Sequence, residues 1–575
     1  MSASPDRALL AATLAFAAAC ADARRDPLSA VLITLDTTNA GALGCYGRRA
    51  GVTPYLDALA AEGLVYDGAR SVAPLTLPSH ASMMTGLYPP RHTLRDNGLH
   101  PLPSSAVTLA ERARARGYET AAFVAAVVLA APFGLDQGFD VYDEPGPDRA
   151  SAGILERPAH EVTRAAVGWL ERRDRSRPFF LWVHYYDPHA PYAAEPRFLR
   201  QVGSERGADD QRPRFPEYLA EVAQADAAIG RLLAALEEEG ALEHTFIAVV
   251  ADHGEALHRH DEPTHSLLVY DTTIRVPLML RYPDGHRAGE RSSEIVSVAD
   301  VYPTLVEALG LGDPGPVDGQ SLFRRSVPRG RGVYFESLAG YLSCGWSPLC
   351  GWADEGGTYL HSPEPELFAP GDERQERNRI AEEAAAAERY RERIARVAAR
   401  PALAPDAPAS LGDLPEKIRA LGYVGGGDPS EPVPHPLETA GRPNPREHVA
   451  AWNACLEAAV LALELPQEGR VDEVVQRLEA QLEATPGNRI ALEMLARVMA
   501  GREHHARVIE LLEPAVDAGS ERHAFMLLLG DALEHEGRDA EALAVYARAR
   551  ERWPAQEDFR KGLARVLARL ERAGG

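Results

Sequence analysis

Two apolar segments of this chain end in residues that could bind a metal ion. In VLITLDTT (31–38) a buried strand ends at Asp36, and in IAVVADHGEAL (247–257) a strand delivers Asp252 and His253 side by side. A carboxylate at the end of a buried strand is costly unless it is paired, and a divalent cation is the usual partner. Hard and borderline ions accept oxygen and nitrogen ligands. Asp36, Asp252 and His253 are therefore candidate metal ligands.

A third stretch, APLTLPSHASMMTG (73–86), places a hydroxyl group at the start of a predicted helix. Pro78 fits the first turn and the run to Thr85 is helical, so Thr76 would lie just before the helix N-terminus. Free N–H groups and the helix dipole stabilise an anion at that point. A hydroxyl there can attack phosphorus or sulfur if a metal lowers its pKa. The alternative is that Thr76 only caps the helix.

The fourth stretch, FFLWVHYYDPHAPY (179–192), opens from an apolar strand into His184, Asp187 and His189. Two histidines and an acid are more than a core strand needs. Three further histidines follow the Asp-His pair of the second stretch: His258, His260 and His265. Open α/β sheets place their ligands beyond the carboxyl ends of the strands, which is where we expect these side chains to meet.

From Ser29 to about Leu311, short apolar strands alternate with amphipathic helices, the pattern of a mainly parallel α/β sheet flanked by helices. The predicted strands are Ala30–Leu35, Thr120–Val124, Phe179–His184, Phe246–Ala251 and Pro277–Arg281, and the clearest helices are Pro54–Glu62, Val107–Arg116 and Pro216–Glu239. A small α+β subdomain follows, with strands at Val333–Glu336 and Thr358–His361 and a helix near 380–398.

The C-terminal part repeats. Pro486 and Pro554 are 68 residues apart, twice the 34-residue period of the tetratricopeptide (TPR) repeat. We predict an all-α TPR solenoid with repeats near 455–488, 489–522 and 523–556 and a capping helix at 557–572. Such arrays usually bind a protein partner on a concave surface. The alternative is an unrelated helical bundle.

The predicted order of regions is a leader at 1–27, a catalytic domain at 28–311, its C-terminal subdomain at 312–398, a linker at 399–446 and TPR repeats at 447–575. The leader contains an apolar run that ends at Cys20, as in a signal peptide or a bacterial lipoprotein. We expect an exported protein, periplasmic or anchored to the membrane only through a lipid on Cys20. The alternative is an alanine-rich helix kept in the mature protein.

Charge limits the classes of partner. The net charge is -23 at pH 7, which argues against a nucleic acid, because phosphate neutralisation needs a basic face. An anionic ester can still bind if a metal reverses the local field. The lysines are Lys417 and Lys561 only, so Arg, His, backbone amides or metal must hold such an anion. Cys344 and Cys350 could pair in an oxidising compartment, but connectivity is not readable from sequence.

The motifs and their order resemble a known family. They run LITLDTT, GCYG, TPYLDALAAEG, LTLPSHASMMTG, HYYDPHAPY, ADHGE and YDTTIRVPLML. Over about residues 29–380 this order resembles the sulfatase branch of the alkaline-phosphatase superfamily. The segment ELFAPGDERQERN (366–378) is similar to a late segment of that family. LGYVGG ahead of the repeats is similar to bacterial sulfatase-like proteins that carry TPR tails.

The resemblance implies an alkaline-phosphatase/sulfatase-like fold and a divalent metal ion (Ca, Mn, Mg or Zn) with Thr76 at the nucleophile position. The implied metal ligands are Asp36, Thr76, Asp252 and His253. His189 and His265 match residues that contact the ester or protonate the leaving group. The implied substrate-binding residues are His80, which stands where many sulfatases have arginine, Asn97 and His184.

The chain departs from the family pattern at three points. Sulfatases carry a cysteine or serine that is oxidised to formylglycine, whereas oxidation of Thr76 would give a ketone. The second acidic residue of the family is Thr37 here, and the lysines that bind sulfate are absent from this region. Unmodified threonine is instead the nucleophile of related phosphodiesterases and of phosphoglycerol and phosphoethanolamine transferases.

The resulting prediction is a metal-dependent hydrolase or transferase of sulfate or phosphate esters with a TPR protein-interaction module. Phosphate esters rank slightly above sulfate esters because of Thr76. The alternative is a non-catalytic sulfatase-fold scaffold whose TPR array binds protein partners. A nuclease on the same fold is disfavoured by the acidic charge.

Overall fold

The computed structural model describes residues 27–47, 52–98, 100–145, 157–204, 215–323, 330–406, 433–439, 441–463, 471–554 and 556–574. The predicted leader with Cys20 and the LGYVGG segment lie outside these residues. Among the helices that are described, none has both the length and the apolar character needed to cross a membrane.

An eight-stranded sheet forms the centre of the N-terminal part. Its strands are β1 (Ser29–Leu35), β2 (Leu64–Arg70), β3 (Glu119–Phe123), β4 (Val141–Asp143), β5 (Phe179–Tyr185), β6 (Thr245–Ala251), β7 (Leu278–Arg281) and β8 (Glu290–Ser297). The spatial order is β4-β3-β5-β1-β6-β7-β2-β8. Only β7 pairs antiparallel with its neighbours in this sheet. The predicted mainly parallel α/β sheet is confirmed.

Strand β1 lies at the centre, between β5 and β6. Its last residue, Leu35, pairs with Tyr185 on one side and Ala251 on the other. All three strands are buried along their whole length, as expected where helices cover both faces of a parallel sheet. The residues that follow these strands therefore leave the sheet side by side.

Three strands of this sheet were not predicted: β2, β4 and β8. The sequences LVYDGAR and ERSSEIVS contain charged residues that interrupt an apolar run. Strand β8 lies at an edge, where its first residues are exposed, and β4, at the other edge, has only three residues. Hydrophobic patterning is weak in β4 and β8 because only part of each is buried, whereas β2 is buried almost throughout and lacks the pattern because it contains Asp67 and Arg70.

Helices cover the sheet and connect its strands. They are α1 (Pro54–Ala61), α2 (Thr76–Thr85), α3 (Pro89–His92), α4 (Leu109–Ala115), α5 (Ala159–Arg172), α6 (Pro196–Ser204), α7 (Pro216–Glu238), α8 (Asp271–Ile274), α9 (Val301–Ala308), α10 (Ala339–Cys344) and α11 (Ala384–Ala398). The predicted helices correspond to α1, α4, α7 and α11. The ends of the first three differ from the prediction by at most two residues, and α11 begins four residues after the predicted start near 380.

A smaller antiparallel sheet follows the first one. It contains β9 (Gly332–Ser337), β10 (Leu349–Asp354), β11 (Gly357–His361) and β12 (Glu366–Phe368) in the order β12-β11-β10-β9. The predicted strands correspond to β9 and β11. Helix α11 packs against it, and Tyr390 donates a hydrogen bond to Asp354 Oδ1 at 2.8 Å.

The C-terminal part is all-α. Its helices are α12 (Val449–Leu463), α13 (Val471–Ala484), α14 (Arg489–Gly501), α15 (His505–Asp517), α16 (His523–His535), α17 (Asp539–Arg552) and α18 (Glu557–Gly574). Successive helices pack on each other around one hydrophobic cluster. The all-α character agrees with the prediction, and assignment to the TPR type stays a prediction.

Buried contacts join the helical part to the rest of the chain. Val449 and Trp452 of α12 lie in one hydrophobic cluster with Leu267, Phe335 and Trp346.

Cysteines also lie at this junction. Cys344 and Cys350, whose pairing the sequence left open, are both free. The Cys344 thiol contacts Asn488 Oδ1 at 3.7 Å, and the Cys350 thiol contacts Pro436 O at 3.4 Å.

Candidate active site

The carboxyl ends of β1 and β6 bring the three predicted metal ligands together. Asp36 follows β1, and Asp252 and His253 follow β6, its neighbour in the sheet. One ligand atom from each residue lies within 4.8 Å of the other two, and all three residues are buried. The backbone N–H groups of Thr37 and His253 donate to Asp252 Oδ1 at 3.2 and 2.7 Å. The other oxygen, Oδ2, lies 3.5 Å from His253 Nε2.

This group fits a divalent ion. His253 Nδ1 donates to Gly254 O at 3.0 Å, which leaves the lone pair on Nε2. That nitrogen and Asp252 Oδ2 are buried without a hydrogen-bond partner among the described residues. Burial, and next the charge of Asp36, raises the pKa of Asp252, whereas burial lowers the pKa of His253. Two carboxylates and a neutral imidazole form a ligand set of the kind that divalent ions accept.

Thr76 is the first residue of α2, one position later in the helix than the sequence predicted. Its side chain is fully buried. The hydroxyl contacts Asp36 Oδ2 at 3.5 Å, which is long for a hydrogen bond. The contact directs the hydroxyl toward the carboxylate rather than toward an N–H group of α2. The N-terminus of α2 thus presents an alcohol directly beside the candidate metal ligands.

Asn97 and His80 both support the first turn of α2. Asn97 Oδ1 accepts a hydrogen bond from Leu77 N at 2.9 Å. His80 Nδ1 donates to Thr76 O at 2.8 Å and lies 3.7 Å from Asp252 Oδ2. Burial lowers the pKa of His80, and its Nε2 is buried without a partner among the described residues. Both residues therefore lie next to Thr76; contact with a substrate stays a prediction for each.

His184 lies behind Asp36. Its Nδ1 accepts from Ala125 N at 3.2 Å, so the proton is on Nε2, which donates to Asp36 Oδ2 at 3.2 Å. Burial lowers the pKa of His184 to about 3, which keeps the ring neutral. Both ring nitrogens are thus engaged inside the protein, and the geometry is that of a group orienting a metal-binding carboxylate. The predicted substrate contact stays a prediction.

His189 and His265 lie together on the other side of His253. The rings of His189 and His265 are 5.0 Å apart, and those of His253 and His265 are 4.6 Å apart. His189 Nδ1 donates to Ala190 O at 2.6 Å, and His265 Nδ1 lies 3.1 Å from Glu255 Oε1. Burial lowers the pKa of both histidines, that of His265 to about 3. Each therefore has its Nδ1 held by a protein group, which fixes the orientation of the ring.

Three supporting residues were not identified from the sequence: Asn39, Tyr218 and Glu255. The Asn39 side chain accepts from Glu255 N at 3.1 Å and donates to Glu255 O at 2.7 Å. The Tyr218 hydroxyl donates to Thr37 O and accepts from Asn39 N, both at 2.9 Å. Glu255 stands in the ADHGE motif, a signal that could have found it. No local signal marks the other two, since their partners lie more than a hundred residues away.

Three other polar residues of the sequence motifs lie elsewhere. Asp187 accepts from Ala159 N at 2.9 Å, at the start of α5, and from Gln224 Nε2 at 2.6 Å. Its carboxylate is thus used to cap a helix. His260 stacks on Tyr270 at 3.7 Å, and His258 stacks on Phe215 at 6.0 Å.

Comparison with known proteins bears on this site. A protein-family model described as Sulfatase matches residues 29–311. The ulvan-active sulfatase of Formosa agariphila is 28% identical, over 51% of this chain and 63% of that protein. Human arylsulfatase A is 31% identical, over 52% of this chain and 66% of that protein. The chain thus spans slightly less than two thirds of these two relatives.

Solved structures share the fold. A phosphonate monoester hydrolase of Agrobacterium radiobacter superposes with a TM-score of 0.54 at 23% identity, over 64% of this chain and 95% of that one. A protein solved with its substrate D-glucosamine-2-N,6-O-disulfate gives a TM-score of 0.55 at 20% identity, over 64% of this chain and 97% of that one.

Bovine arylsulfatase A is 30% identical over 55% of this chain and 70% of that protein. Because the Sulfatase model matches residues 29–311 and this bovine protein is 30% identical over 70% of its length, the chain belongs to the sulfatase family.

Proposed function

We propose that this chain is a metal-dependent hydrolase or transferase of sulfate or phosphate esters, with Thr76 as its nucleophile. The observation that carries the proposal is the position of the Thr76 hydroxyl, which lies at the N-terminus of α2 and 3.5 Å from Asp36 in the candidate metal group. The names of the relatives, which are sulfatases, support an ester of this class.

Asp36, Asp252 and His253 would hold the metal, with Thr76 beside them. A divalent ion in this position would lower the pKa of the hydroxyl and offset the negative charge of the ester. The residues of the chain then have separable tasks. The N-terminus of α2 favours the charge that develops on the sulfuryl or phosphoryl oxygens. Asn97 and His80 hold the first turn, and His184 fixes Asp36.

Proton transfer to the leaving group falls to His189 or His265. The Thr76 hydroxyl gives up its proton to Nε2 of one of these rings as its oxygen attacks sulfur or phosphorus. The ester bond to the leaving oxygen breaks, and the same Nε2 passes that proton to the leaving oxygen. Water, or an acceptor alcohol in a transferase, then releases the group from Thr76. His265 is the better oriented of the two, because Glu255 Oε1 lies 3.1 Å from its Nδ1.

Two observations point to different esters. The sulfatases among the relatives favour a sulfate ester. Thr76 favours a phosphate ester or diester, because threonine cannot form the aldehyde that sulfatases make from cysteine or serine. A panel of aryl sulfate, aryl phosphate and aryl phosphodiester, assayed with the metal-loaded protein, ranks these classes directly.

The test of the nucleophile is the Thr76→Ala variant. We expect it to lose essentially all turnover of the preferred ester, since the attacking atom is removed, while its metal content, measured by elemental analysis, changes less than turnover. Thr85→Ala is the matched control, because Thr85 ends the same helix and its hydroxyl bonds there, donating to Ala81 O at 2.6 Å and accepting from Leu87 N at 3.3 Å.

Full turnover in Thr76→Ala would rule out the threonine nucleophile. Absence of both bound metal and Thr76-dependent turnover would leave a scaffold whose function lies in the C-terminal helices.

We also propose that the C-terminal helices form a TPR-type module that binds a protein partner. Three helix pairs fall within or close to the three predicted repeats. Gly530 and Tyr546 support the register: a Cβ on Gly530 would lie 2.5 Å from the Tyr546 ring, so glycine is needed for this packing. Capture of a protein partner by the full chain, lost on substitution of exposed residues within 447–575, would test it.

Export, with lipid attachment at Cys20, remains a proposal from the apolar run before that residue. Cell fractionation of the wild type and of Cys20→Ser tests it, since only an anchored protein changes from the membrane to the soluble fraction on substitution.

A further inference from the structure

The loop that carries His265 has an unusual backbone. Between β6 and α8, residues 257–266 include five non-glycine positions with positive φ: Leu257, His258, His260, Asp261 and Ser266. L-residues rarely adopt such angles, and they persist only where surrounding contacts impose them. The conformation of this loop must therefore be held by its contacts.

Two contacts hold the loop from within. Ala256 N donates to Thr264 O at 2.6 Å, and this hydrogen bond joins the two ends of the loop. Glu262 is buried, and its Oε1 accepts from Leu267 N at 2.8 Å and from Leu268 N at 3.3 Å. These bonds bracket His265 on both sides along the chain.

A second set of contacts comes from the start of the C-terminal helical part. Asn453 Nδ2, on α12, donates to Asp261 O at 2.9 Å. Arg446 Nη1, just before α12, donates to the Tyr270 hydroxyl at 3.3 Å. Trp452, on the same helix, is buried in the cluster that contains Leu267. The first helix of the array thus contacts the loop at Asp261, before His265, and shares a buried cluster with Leu267, which follows the loop.

We propose that Asn453 is a positioning residue for His265, and that α12 is for this reason a working part of the active site rather than only the first helix of a binding module. The proposal rests on the proposed function, in which His265 protonates the leaving group. Asn453 fixes Asp261 O, Glu262 next to it fixes Leu267 and Leu268, and His265 lies between these points.

The test compares Asn453→Ala with Glu457→Ala in the full chain. Glu457 lies one turn further along α12, and its carboxylate contacts Arg477 of the array at 3.2 Å instead of the loop. Two readouts are measured for each variant: amide hydrogen exchange of residues 256–268, and kcat and KM for a 4-nitrophenyl and a phenyl ester of the class that the wild type turns over.

We expect faster exchange of residues 256–268 in Asn453→Ala and unchanged exchange in Glu457→Ala. With the phenyl ester, whose leaving group needs a proton, kcat should fall about 3- to 10-fold, the effect of one lost hydrogen bond. With the nitrophenyl ester kcat should be nearly unchanged, and KM should be unchanged for both. In a His265→Ala background, Asn453→Ala should cause no further loss, since the two residues act through one group.

Three results would overturn the proposal: unchanged exchange in Asn453→Ala, equal losses with both leaving groups, or a loss that adds to that of His265→Ala. Asn453→Asp, which keeps the size of the side chain and removes the donor, must behave as Asn453→Ala does. Failure of the proposed function looks different, because Thr76→Ala would then retain turnover. In that case faster exchange would show only that α12 holds the loop, and the role of Asn453 in catalysis would fall with that of His265.

Discussion

Five histidines surround the candidate nucleophile and metal group, and burial lowers the pKa of every one of them. They are His80, His184, His189, His253 and His265. Neutral rings can accept, donate and relay protons but supply no fixed positive charge. Positive charge for an anionic ester would then have to come from arginine or from a cation held by this group. This agrees with the absence of lysine from the first 416 residues.

The buried carboxyl of Asp226 should make the free energy of unfolding depend on pH. It is buried on α7 and accepts from Leu56 N at 2.8 Å and Tyr55 N at 3.2 Å, at the start of α1. Burial raises its pKa to about 7, against about 3.9 in an unfolded chain. Between these values the native state binds more protons, so stability falls as pH rises from about 4 to 7, by at most about 4 kcal/mol.

Urea unfolding at pH 5 and pH 8 measures this effect. We expect the wild type to be less stable at pH 8, and Asp226→Asn to show a smaller difference between the two pH values. The exposed Asp284→Asn variant serves as the control. An equal difference in all three proteins would assign the pH dependence to other groups.

The residues of the site divide into those that a sequence pattern can reveal and those that it cannot. Asp36, Asp252 and His253 follow apolar strands directly, so local pattern alone made them candidates. Asn39 and Tyr218 support the same site through partners 216 and 181 residues away. The position of such a partner is set by the order of strands in the sheet, which no local pattern encodes.

At the scale of elements, β9 links the small sheet to three segments of the active site. Glu336 N donates to Val72 O ahead of α2, and the Ser337 hydroxyl donates to Ser266 O beside His265. The Glu336 carboxylate binds Arg95 through two hydrogen bonds of 2.6 and 2.5 Å. Since both side chains are nearly buried, neither charge can be left alone without a large cost.

We therefore expect Glu336→Ala to lower the free energy of unfolding by about 3–5 kcal/mol, because Arg95 would remain as an unpaired buried charge. Replacing both residues, as in Arg95→Met with Glu336→Leu, should restore most of the loss. The midpoint of urea unfolding, followed by tryptophan fluorescence, measures both. Asp67→Ala is the control, since its pair with Arg291 is exposed and should contribute less than about 1 kcal/mol.

If the double replacement were as unstable as Glu336→Ala, the loss would come from the shape of the junction and not from the charge of Arg95.

Elements were predictable from the sequence to the extent that their own segment is apolar. Strands β1, β5 and β6 have uninterrupted apolar sequences and were predicted to within one residue at each end. Strand β2 carries Asp67 and Arg70 in a seven-residue strand and was missed. Its place in the sheet comes from pairing with β7 and β8, an interaction of distant segments.

At the scale of the whole molecule, stability should depend on the bound ion. Without a cation, Asp36 and Asp252 place two carboxylates in a buried site, each disfavouring the charge of the other. An ion that binds only the native state adds about 4 kcal/mol at a thousand times its Kd. We expect a chelator to lower the melting temperature of the wild type and a divalent salt to restore it.

The Asp252→Asn variant distinguishes the stabilising effect of the ion from the cost of the buried charge. It should melt at the same temperature with and without chelator, and above the chelated wild type, because one buried charge is gone. Calorimetry of the wild type and of Asp252→Asn, each with and without chelator, measures these melting temperatures. A wild type that melts at one temperature in both conditions would contradict a structural role for the metal group.

The burial of Trp452 in a cluster with Leu267, Phe335 and Trp346 has a consequence for the synthesis of this protein. Trp452 leaves the ribosome last of these four residues. At about 5–20 residues per second, it follows Leu267, the first of the four, by roughly 9–37 s. Until then the cluster lacks the Trp452 side chain, and the other three side chains are not fully buried. The catalytic part therefore reaches its final packing only after the first helix of the C-terminal part has been made, and a chain interrupted before that helix exposes apolar surface and is prone to aggregate.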